Sequence, residues 1–207
     1  MSLIIGYAEI LQSYEADEES KAWMLKNILD SSRNLSEQID QMLDLAAIDA
    51  RIHSHTYLET IDVFQALADA CARFDFPSDQ RRPILLGSPG DYRCKGNALL
   101  LVKCFNELLT NAFQYSFGHG SIRLNTDINN VGFYRITIED DGIGMSLEEA
   151  NMSTARFWRA DKSGKSPGIG LGLAIVKEVI SLHGGQLNIV SVVGKGTRIS
   201  VLLPPLL

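Results

Sequence analysis

Apolar positions in the first fifty residues recur at helical spacing with one interruption. Leu3, Ile4, Tyr7, Ile10 and Leu11 form a first stripe, and the polar run from Glu15 to Ser20 breaks it. A second stripe sets Leu25, Ile28, Ser32, Leu35, Ile39, Met42 and Ala46 on alternating three- and four-residue steps. That is a heptad seam, the period of helices packed at a shallow angle. Residues 1–50 therefore read as a helical hairpin with more apolar surface than two helices can bury between them. A second copy would cover the surplus in a four-helix bundle; a hairpin folded back on its own domain is the alternative. Residues 51–57 lose the period and read as a linker, with His53 and His55 as ordinary polar positions in it.

After the linker the pattern mixes periods. Thr60-Ile61-Asp62 reads as a short extended piece, followed by a helix over 63–74. Pro77, Gly87, Pro89 and Gly90 punctuate a loop-rich stretch in which Pro83-Ile84-Leu85-Leu86 is the predicted strand. From Asn97 to Tyr115 the spacing is helical again, with Leu101, Phe105, Leu108 and Ala112 as the core stripe. Two strands are predicted over 121–126 and 133–140. A polar segment over about 145–170 carries the aromatic pair Phe157-Trp158 and reads as a mobile lid. A helix then runs from Gly172 to about His183, ended by Gly184-Gly185 as a left-handed cap would end it. Two last strands cover 186–192 and 197–203, so the fold class is α+β: a helical hairpin over 1–50, then a mixed domain over 58–207.

Composition narrows this picture only a little. At 207 residues, 45% hydrophobic and 21% charged, the chain has the balance of an ordinary globular protein. A formal net charge of −6 argues against nucleic acid or an acidic membrane surface as a general partner. No apolar run approaches the ~18 residues that span a bilayer, and no secretory signal pattern is present. Cys71, Cys94 and Cys104 lack C-x-x-C spacing and read as reduced core thiols in a cytoplasmic setting.

The candidate chemistry lies in three places. Gly168, Gly170 and Gly172 alternate with Ile169 and Leu171 just before the helix that starts at Gly172. Glycine lets backbone approach a ligand, and a helix N-terminus turns free N–H groups toward it, so this stretch suits an anion such as phosphate. On the 97–115 helix, Glu107, Asn111 and Gln114 stand at i, i+4 and i+7 and project together. They are either a solvated edge or oxygen ligands for a hard cation beside a base. In the strand 133–140, Tyr134, Ile136, Ile138 and Asp140 share one face, so an inward series ends in a carboxylate that needs partners. Asp141-Gly142-Ile143-Gly144 follows, a turn whose glycines open space beside Asp140.

Four stretches taken in order resemble one family. Asn106-Glu107-Leu108-Leu109-Thr110-Asn111-Ala112 is similar to the N box of sensor histidine kinases. Asp140-Asp141-Gly142-Ile143-Gly144 resembles the G1 box, Phe157-Trp158-Arg159 the F box, and Gly168-Ile169-Gly170-Leu171-Gly172-Leu173 the G2 box. The run from Met1 to Leu11 is similar to the stretch just after that family's phosphoacceptor histidine and proline. The resemblance implies a dimerisation hairpin followed by a Bergerat-type ATPase domain, a two-layer α/β sandwich with a mixed sheet backed by three helices. It implies ATP and Mg²⁺ as cofactors. By position, Asp140 would accept a hydrogen bond from the adenine amino group and Asn111 would hold Mg²⁺. Glu107 would orient or deprotonate the attacking nucleophile, and Tyr115 would lie near the purine or ribose. Gly142 and Gly144 would let the chain pass close to the nucleotide, and Gly168, Gly170, Leu171 and Gly172 would offer N–H groups to the phosphates. The implied partners are a second copy of the chain, through the N-terminal helices, and the receiver domain of a response regulator. Any membrane attachment would come only through segments outside this sequence.

Three departures stand against the resemblance. The histidines are His53, His55, His119 and His183, so residues 1–50 hold none, and the match would place the acceptor a few residues before Met1. Gln114 stands where the family usually has a lysine on phosphate, a charge-assisted contact worth about 1.5–3 kcal/mol. Asp141 replaces the more usual Asn. The expected activity is that of an ATP-dependent protein-histidine kinase core. A non-catalytic ATP-binding or phosphotransfer adaptor and an anti-sigma-type serine kinase or gyrase-like ATPase are the alternatives on the same fold.

Overall fold

The computed structural model describes residues 3–14, 16–53, 59–76, 83–85, 92–118, 120–160 and 168–206. Helices α1 (Leu3–Ser13) and α2 (Glu18–His53) form the N-terminal hairpin. Asp17 starts α2 by accepting the Ser20 N–H at 2.8 Å, which satisfies one of the free donors of the first turn. The Tyr7 ring meets the Trp23 ring edge-on at 5.3 Å across the hairpin. Arg51 to His53, read from the sequence as the start of the linker, instead continue α2; the remainder, with His55, lies outside the described residues.

The second half alternates strands and helices. Strand β1 (Glu59–Asp62) pairs antiparallel with β3 (Arg93–Gly96) in a two-stranded ribbon, and α3 (Val63–Arg73) starts from an Asp62 cap. Strand β2 (Ile84–Leu85) precedes β3, and the flanking Pro77, Gly87, Pro89 and Gly90 lie outside the described residues. The long helix α4 (Ala98–Tyr115) starts from Asn97, whose side chain accepts the Leu100 N–H at 3.1 Å. Then come β4 (Ile122–Ile128), β5 (Tyr134–Asp140), α5 (Leu147–Met152), α6 (Gly172–Leu182), β6 (Gln186–Val192) and β7 (Gly196–Leu203). Within the segment read as a polar lid, α5 is an ordered turn of helix with a reciprocal Ser146–Glu149 capping box. Residues 161–167 of that segment lie outside the description.

The main sheet has the order β2-β4-β5-β7-β6, parallel only between β2 and β4. Its inward residues Ile122, Leu124, Ile136, Ile138, Ile199, Val201 and Leu203 are buried against α4 and α6. From α4, Leu101, Phe105 and Leu108 complete this core, and from α6, Ile175 and Val179. Fully burying each such side chain contributes about 1.5–3 kcal/mol, so this layer sets where α4 and α6 lie on the sheet. With α3 beside α4, three helices back a mixed sheet: the α+β sandwich that the sequence led us to expect.

The hairpin is docked onto this domain along one stripe of α2. Leu45 and Ile48 are buried in the shared core, and Gln41, Asp44 and Asp49 contact the domain around them. The seam residues Leu25, Leu35, Ile39 and Met42 point elsewhere and stay about half exposed.

Candidate functional site

A cleft opens between α4, the end of the sheet and the segment leading into α6. Leu108, Asn111, Ala112 and Tyr115 form its α4 wall; Ile138, Asp140, Thr197 and Ile199 form its floor. Ile143, Gly144 and Met145 close one end, and Ser153, Trp158, Arg159, Ala160, Gly170, Gly172 and Leu173 make the opposite wall. The lining is mainly apolar with a few convergent polar groups, the usual character of a small-molecule site.

Asp140 ends the inward face of β5, where its Oδ1 accepts the Gly142 N–H at 2.9 Å. Burial pushes its carboxyl up to about 6, against the hydrogen bonds from Gly142 and Thr197 that favour the charged form. Gly142 is buried against the Tyr115 carbonyl, and a methyl group there would also lie 2.6 Å from Asp140 Oδ1. Ile143 N–H then donates to the Tyr115 carbonyl at 3.1 Å, tying the turn to the end of α4. Gly144 has φ 63°, the left-handed region that glycine adopts without steric cost. Asp141 faces away from the cleft: its carboxylate receives Arg123 Nη2 at 2.7 Å and the Ser121 hydroxyl, which hold it at about 2.

On α4, Asn111 reaches the cleft and Glu107 sits one turn back on its rim. The Asn111 side-chain nitrogen is buried without a hydrogen-bond partner, an uncompensated polar end beside the cleft. Glu107 is partly buried, and that burial raises its carboxyl above the ordinary range, against Gln41 and the Lys103 charge. Gln41 Nε2 lies 3.3 and 3.4 Å from the two Glu107 oxygens, and Lys103 pairs with Asp44 of α2. The start of α6 faces both residues: a methyl group at Gly172 would lie 2.7 Å from Glu107 Oε2 and 3.6 Å from the Asn111 side-chain nitrogen.

The glycine-rich segment delivers its members unequally. Gly170 (φ 77°) and Gly172 line the cleft, Gly168 (φ 94°) stands outside it, and Leu171 is buried in the core at 1% exposure. The Phe157 N–H donates to the Gly170 carbonyl at 2.9 Å, so the aromatic segment and the glycines are held together. Phe157 itself has φ 64°, a left-handed conformation that strains a bulky residue by about 1–3 kcal/mol. Arg156 beside it makes a two-armed ion pair with Asp49 of α2 at 2.8 and 2.9 Å.

Of the sequence-predicted site residues, Asn111, Tyr115, Asp140, Gly144, Gly170 and Gly172 meet around one cleft. Glu107 and Gly142 stand immediately behind it, while Gly168 and Leu171 do not line it. Thr197 and Arg159 were not singled out from sequence, yet both line the cleft. Arg159 brings a cation to the wall opposite Gln114's helix, and its place in Phe157-Trp158-Arg159 was the available signal. Among the described residues no three His, Cys, Asp or Glu side chains gather as a metal cluster.

The family described as His Kinase A (phospho-acceptor) domain matches residues 1–51, a stretch that itself holds no histidine. The sensor-like histidine kinase SenX3 of Mycolicibacterium smegmatis is 28% identical over 200 residues, covering 95% of this chain and 52% of that protein. The sensor histidine kinase WalK of Bacillus subtilis is 28% identical over 206 residues, covering 94% of this chain and 34% of that protein. The chain thus spans about half the length, or less, of these curated relatives. Among solved structures, a mycobacterial sensor histidine kinase, MprB, superposes with a TM-score of 0.59 at 26% identity, over 72% of this chain and 99% of that one. The Acinetobacter baumannii histidine kinase AdeS shares the fold over 98% of this chain and 93% of its own, with a TM-score of 0.72 at 17% identity. The family of histidine kinase-, DNA gyrase B- and HSP90-like ATPases matches residues 96–207, more than half of the sequence, and the chain belongs to that family.

Proposed function

We propose that this chain is the dimerisation and ATP-binding core of a two-component sensor histidine kinase. It passes the γ-phosphoryl group of ATP to a histidine and from there to the receiver domain of a response regulator. The observation that carries the reading is the meeting of Asp140, Asn111 and the N-terminal turn of α6 around one cleft, with Glu107 on its rim.

In this reading the adenine lies on Ile138 and Ile199 with its amino group donating to Asp140, and Tyr115 flanks the purine or ribose. Gly142 and Gly144 keep that end open by lacking side chains. Gly170 and Gly172 turn backbone N–H groups and the positive end of α6 toward the phosphates, while Gly168 and Leu171, outside the cleft lining, would add to them only indirectly. The Asn111 side-chain oxygen would hold Mg²⁺, which when bound would supply positive charge against the phosphates. Glu107 orients the attacking imidazole and accepts its proton; a carboxyl raised by burial is a better base for that task than an exposed one. Gln41 lies against Glu107 here, so reaching a nucleophile requires that contact to open.

The domain assignment is a hairpin over about 1–53 and an ATP-binding domain over about 58–207, with a lid from about 145 to 170. The half-exposed seam of Leu25, Leu35, Ile39 and Met42 supports a second copy as the hairpin's partner. Among the described residues no helix is long and apolar enough to cross a membrane. We assign the chain to the cytoplasm, with any anchor in segments outside it. Gln114 and the absence of histidine from residues 1–50 favour one other reading, a non-catalytic ATP-binding or phosphotransfer adaptor.

Incubation with γ-labelled ATP, Mg²⁺ and a relative's phospho-acceptor hairpin separates the two. The kinase reading expects acid-labile, base-stable label on the added hairpin and none on this chain. Tight ATP binding without transfer to the hairpin would favour the adaptor.

A further inference from the structure

The most deeply buried polar side chain among the described residues is His183, 3% exposed at the end of α6. Its Nδ1 lies 2.7 Å from the Val179 carbonyl, and its Nε2 accepts the Asn97 N–H at 3.0 Å. A carbonyl can only accept, so Nδ1 carries the proton, Nε2 the lone pair, and the tautomer is fixed. The ring fills the space beside Gly96, where a methyl group would overlap both it and Ile61. A second proton, on Nε2, would set N–H against N–H inside this packing.

Asn97 is where α4 begins. Its side chain accepts the Leu100 N–H and its carbonyl the Leu101 N–H, each at 3.1 Å, and its own N–H goes to His183. Helices α4 and α6 run in opposite senses: Asn97 meets the end of α6, while Glu107 and Asn111 face its start at Gly172. His183 thus joins one end of the helix pair, and the cleft opens at the other. Between the two ends Leu101, Phe105, Ile175 and Val179 share one core, and a close-packed core transmits a shift rather than absorbing it.

We propose that His183 is a positioning residue, an acid-sensitive latch at the closed end of the α4–α6 pair that sets the spacing of the two cleft walls. The proposal holds whatever ligand the cleft takes. Titratable groups around the ring are neutral or engaged elsewhere. On the face of β1 and β3 that meets it, Glu59 is exposed at the strand end, and Cys94 is a thiol that burial keeps protonated. Asp62, Arg93 and Lys95 alternate to the other face, where Asp62 caps α3 and Lys95 reaches Thr60. On α4, Cys104 is likewise a buried thiol and Lys103 pairs with Asp44 of α2. On α6, Lys177 is exposed, and Glu178 shares Arg156 with Asp49 of α2. The inward residues of β6 and β7 carry no charge. Burial lowers the His183 pKa below the ordinary 6.5. The neutral ring is the folded form, so its stabilisation is complete above 6.5 and is lost as pH falls through the lowered value.

Amide hydrogen exchange on the nucleotide-free chain tests this at Asn97 and at Ile175, whose N–H donates to the Leu171 carbonyl at 2.9 Å beside the cleft. A released ring takes a proton with the ordinary value. Corrected for intrinsic rates, opening at both amides should therefore become about tenfold more favourable between pH 7.5 and 5.5. In His183→Gln, whose amide oxygen can take the Asn97 N–H but binds no proton, protection should change by about twofold at most. Imidazole nitrogen shifts of the parent, which need no variant, should show the Nδ1–H tautomer at pH 7.5 and titrate together with the fall at Asn97. Protection at Asn97 that is flat with pH, a fall there with Ile175 unmoved, or the same pH dependence in His183→Gln would overturn the proposal. So would opening at the two amides as rare as at Ile138 of β5, the mark of unfolding of the whole domain rather than of a latch.

Discussion

The two halves of the molecule treat their apolar residues in opposite ways. In the sandwich, Leu101 and Ile175 are fully buried, and the apolar residues of the sheet's inward face join the same core as α4 and α6. In the hairpin, α2 runs 36 residues, about 54 Å at 1.5 Å per residue, yet Leu35 and Ile39 remain 51% and 48% exposed. Its stripe from Gln41 to Asp49 is covered by the sandwich, while α1 packs on the earlier part of α2 through Tyr7 and Trp23. One half closes its core within a single chain; the other presents a seam that a single chain leaves open. The site sits where the closed half touches the open one, with Glu107 under Gln41 and the residue beside Phe157 ion-paired to Asp49.

The sharpest way to break this contrast is to truncate one leucine in each half. Leu101→Ala is expected to cost about 2–5 kcal/mol of unfolding free energy in urea titrations, as transfer and cavity terms add. Leu35→Ala should leave the stability of the dilute chain within about 0.5 kcal/mol, while weakening self-association in sedimentation experiments. Equal costs at the two positions would erase the distinction.

The next effect lies in the cleft. Gln114→Lys adds a cation on α4 beside the cleft residues Asn111 and Tyr115 and, in the kinase reading, is expected to tighten Mg-ATP binding by about tenfold to a hundredfold, from a charge-assisted contact of about 1.5–3 kcal/mol. Adenosine affinity, read in the same titration, should not move.

Acidity gives a smaller effect with a definite sign. Asp140 must be ionised to accept from adenine, and its carboxyl is raised to about 6, so affinity should fall about fourfold between pH 7.5 and 5.5. Its contribution to stability runs the other way: a raised carboxyl stabilises below the unfolded value of 3.8, and that is lost as pH rises through about 6. Asp141, held at about 2 by Arg123 and Ser121, stabilises above 3.8 and loses that contribution as pH falls toward 2. The smallest expected effect belongs to the contact between the halves. Arg156→Ala should cost only about 0.2–1 kcal/mol, because the pair with Asp49 is partly exposed. Hydrogen exchange should show it as faster exchange around Phe157 rather than as a lower melting temperature.

What the sequence disclosed follows from how much apolar surface each element buries. Helices α4 and α6 and strand β5 were legible because long periodic stripes end in recognisable caps or turns. Strand β3 was not, because its inward positions are Cys94 and Gly96, which carry little apolar bulk to mark a two-residue period. Helix α5 buries no residue fully, and its Ser146–Glu149 box was its one available signature. The docking stripe of α2 was hidden by the seam beside it: Leu45 and Ile48 lie one face away from Ile39 and Met42, and attention to one stripe obscured the other. Within the site, Asp140 and Asn111 could be read from motif and face. Thr197 could not, since a hydroxyl in a strand usually faces water and only the strand register brings it beside Asp140.

The central claim, an ATP site closed through Asn111 and a hard cation, is tested most directly by titrating ATP into the parent chain and into Asn111→Ala, each with Mg²⁺ and with EDTA. The account predicts binding to the parent that is lost with EDTA and equally lost in Asn111→Ala, while the melting temperature without nucleotide barely moves. Equal Mg²⁺-dependent affinity in the two proteins would contradict it.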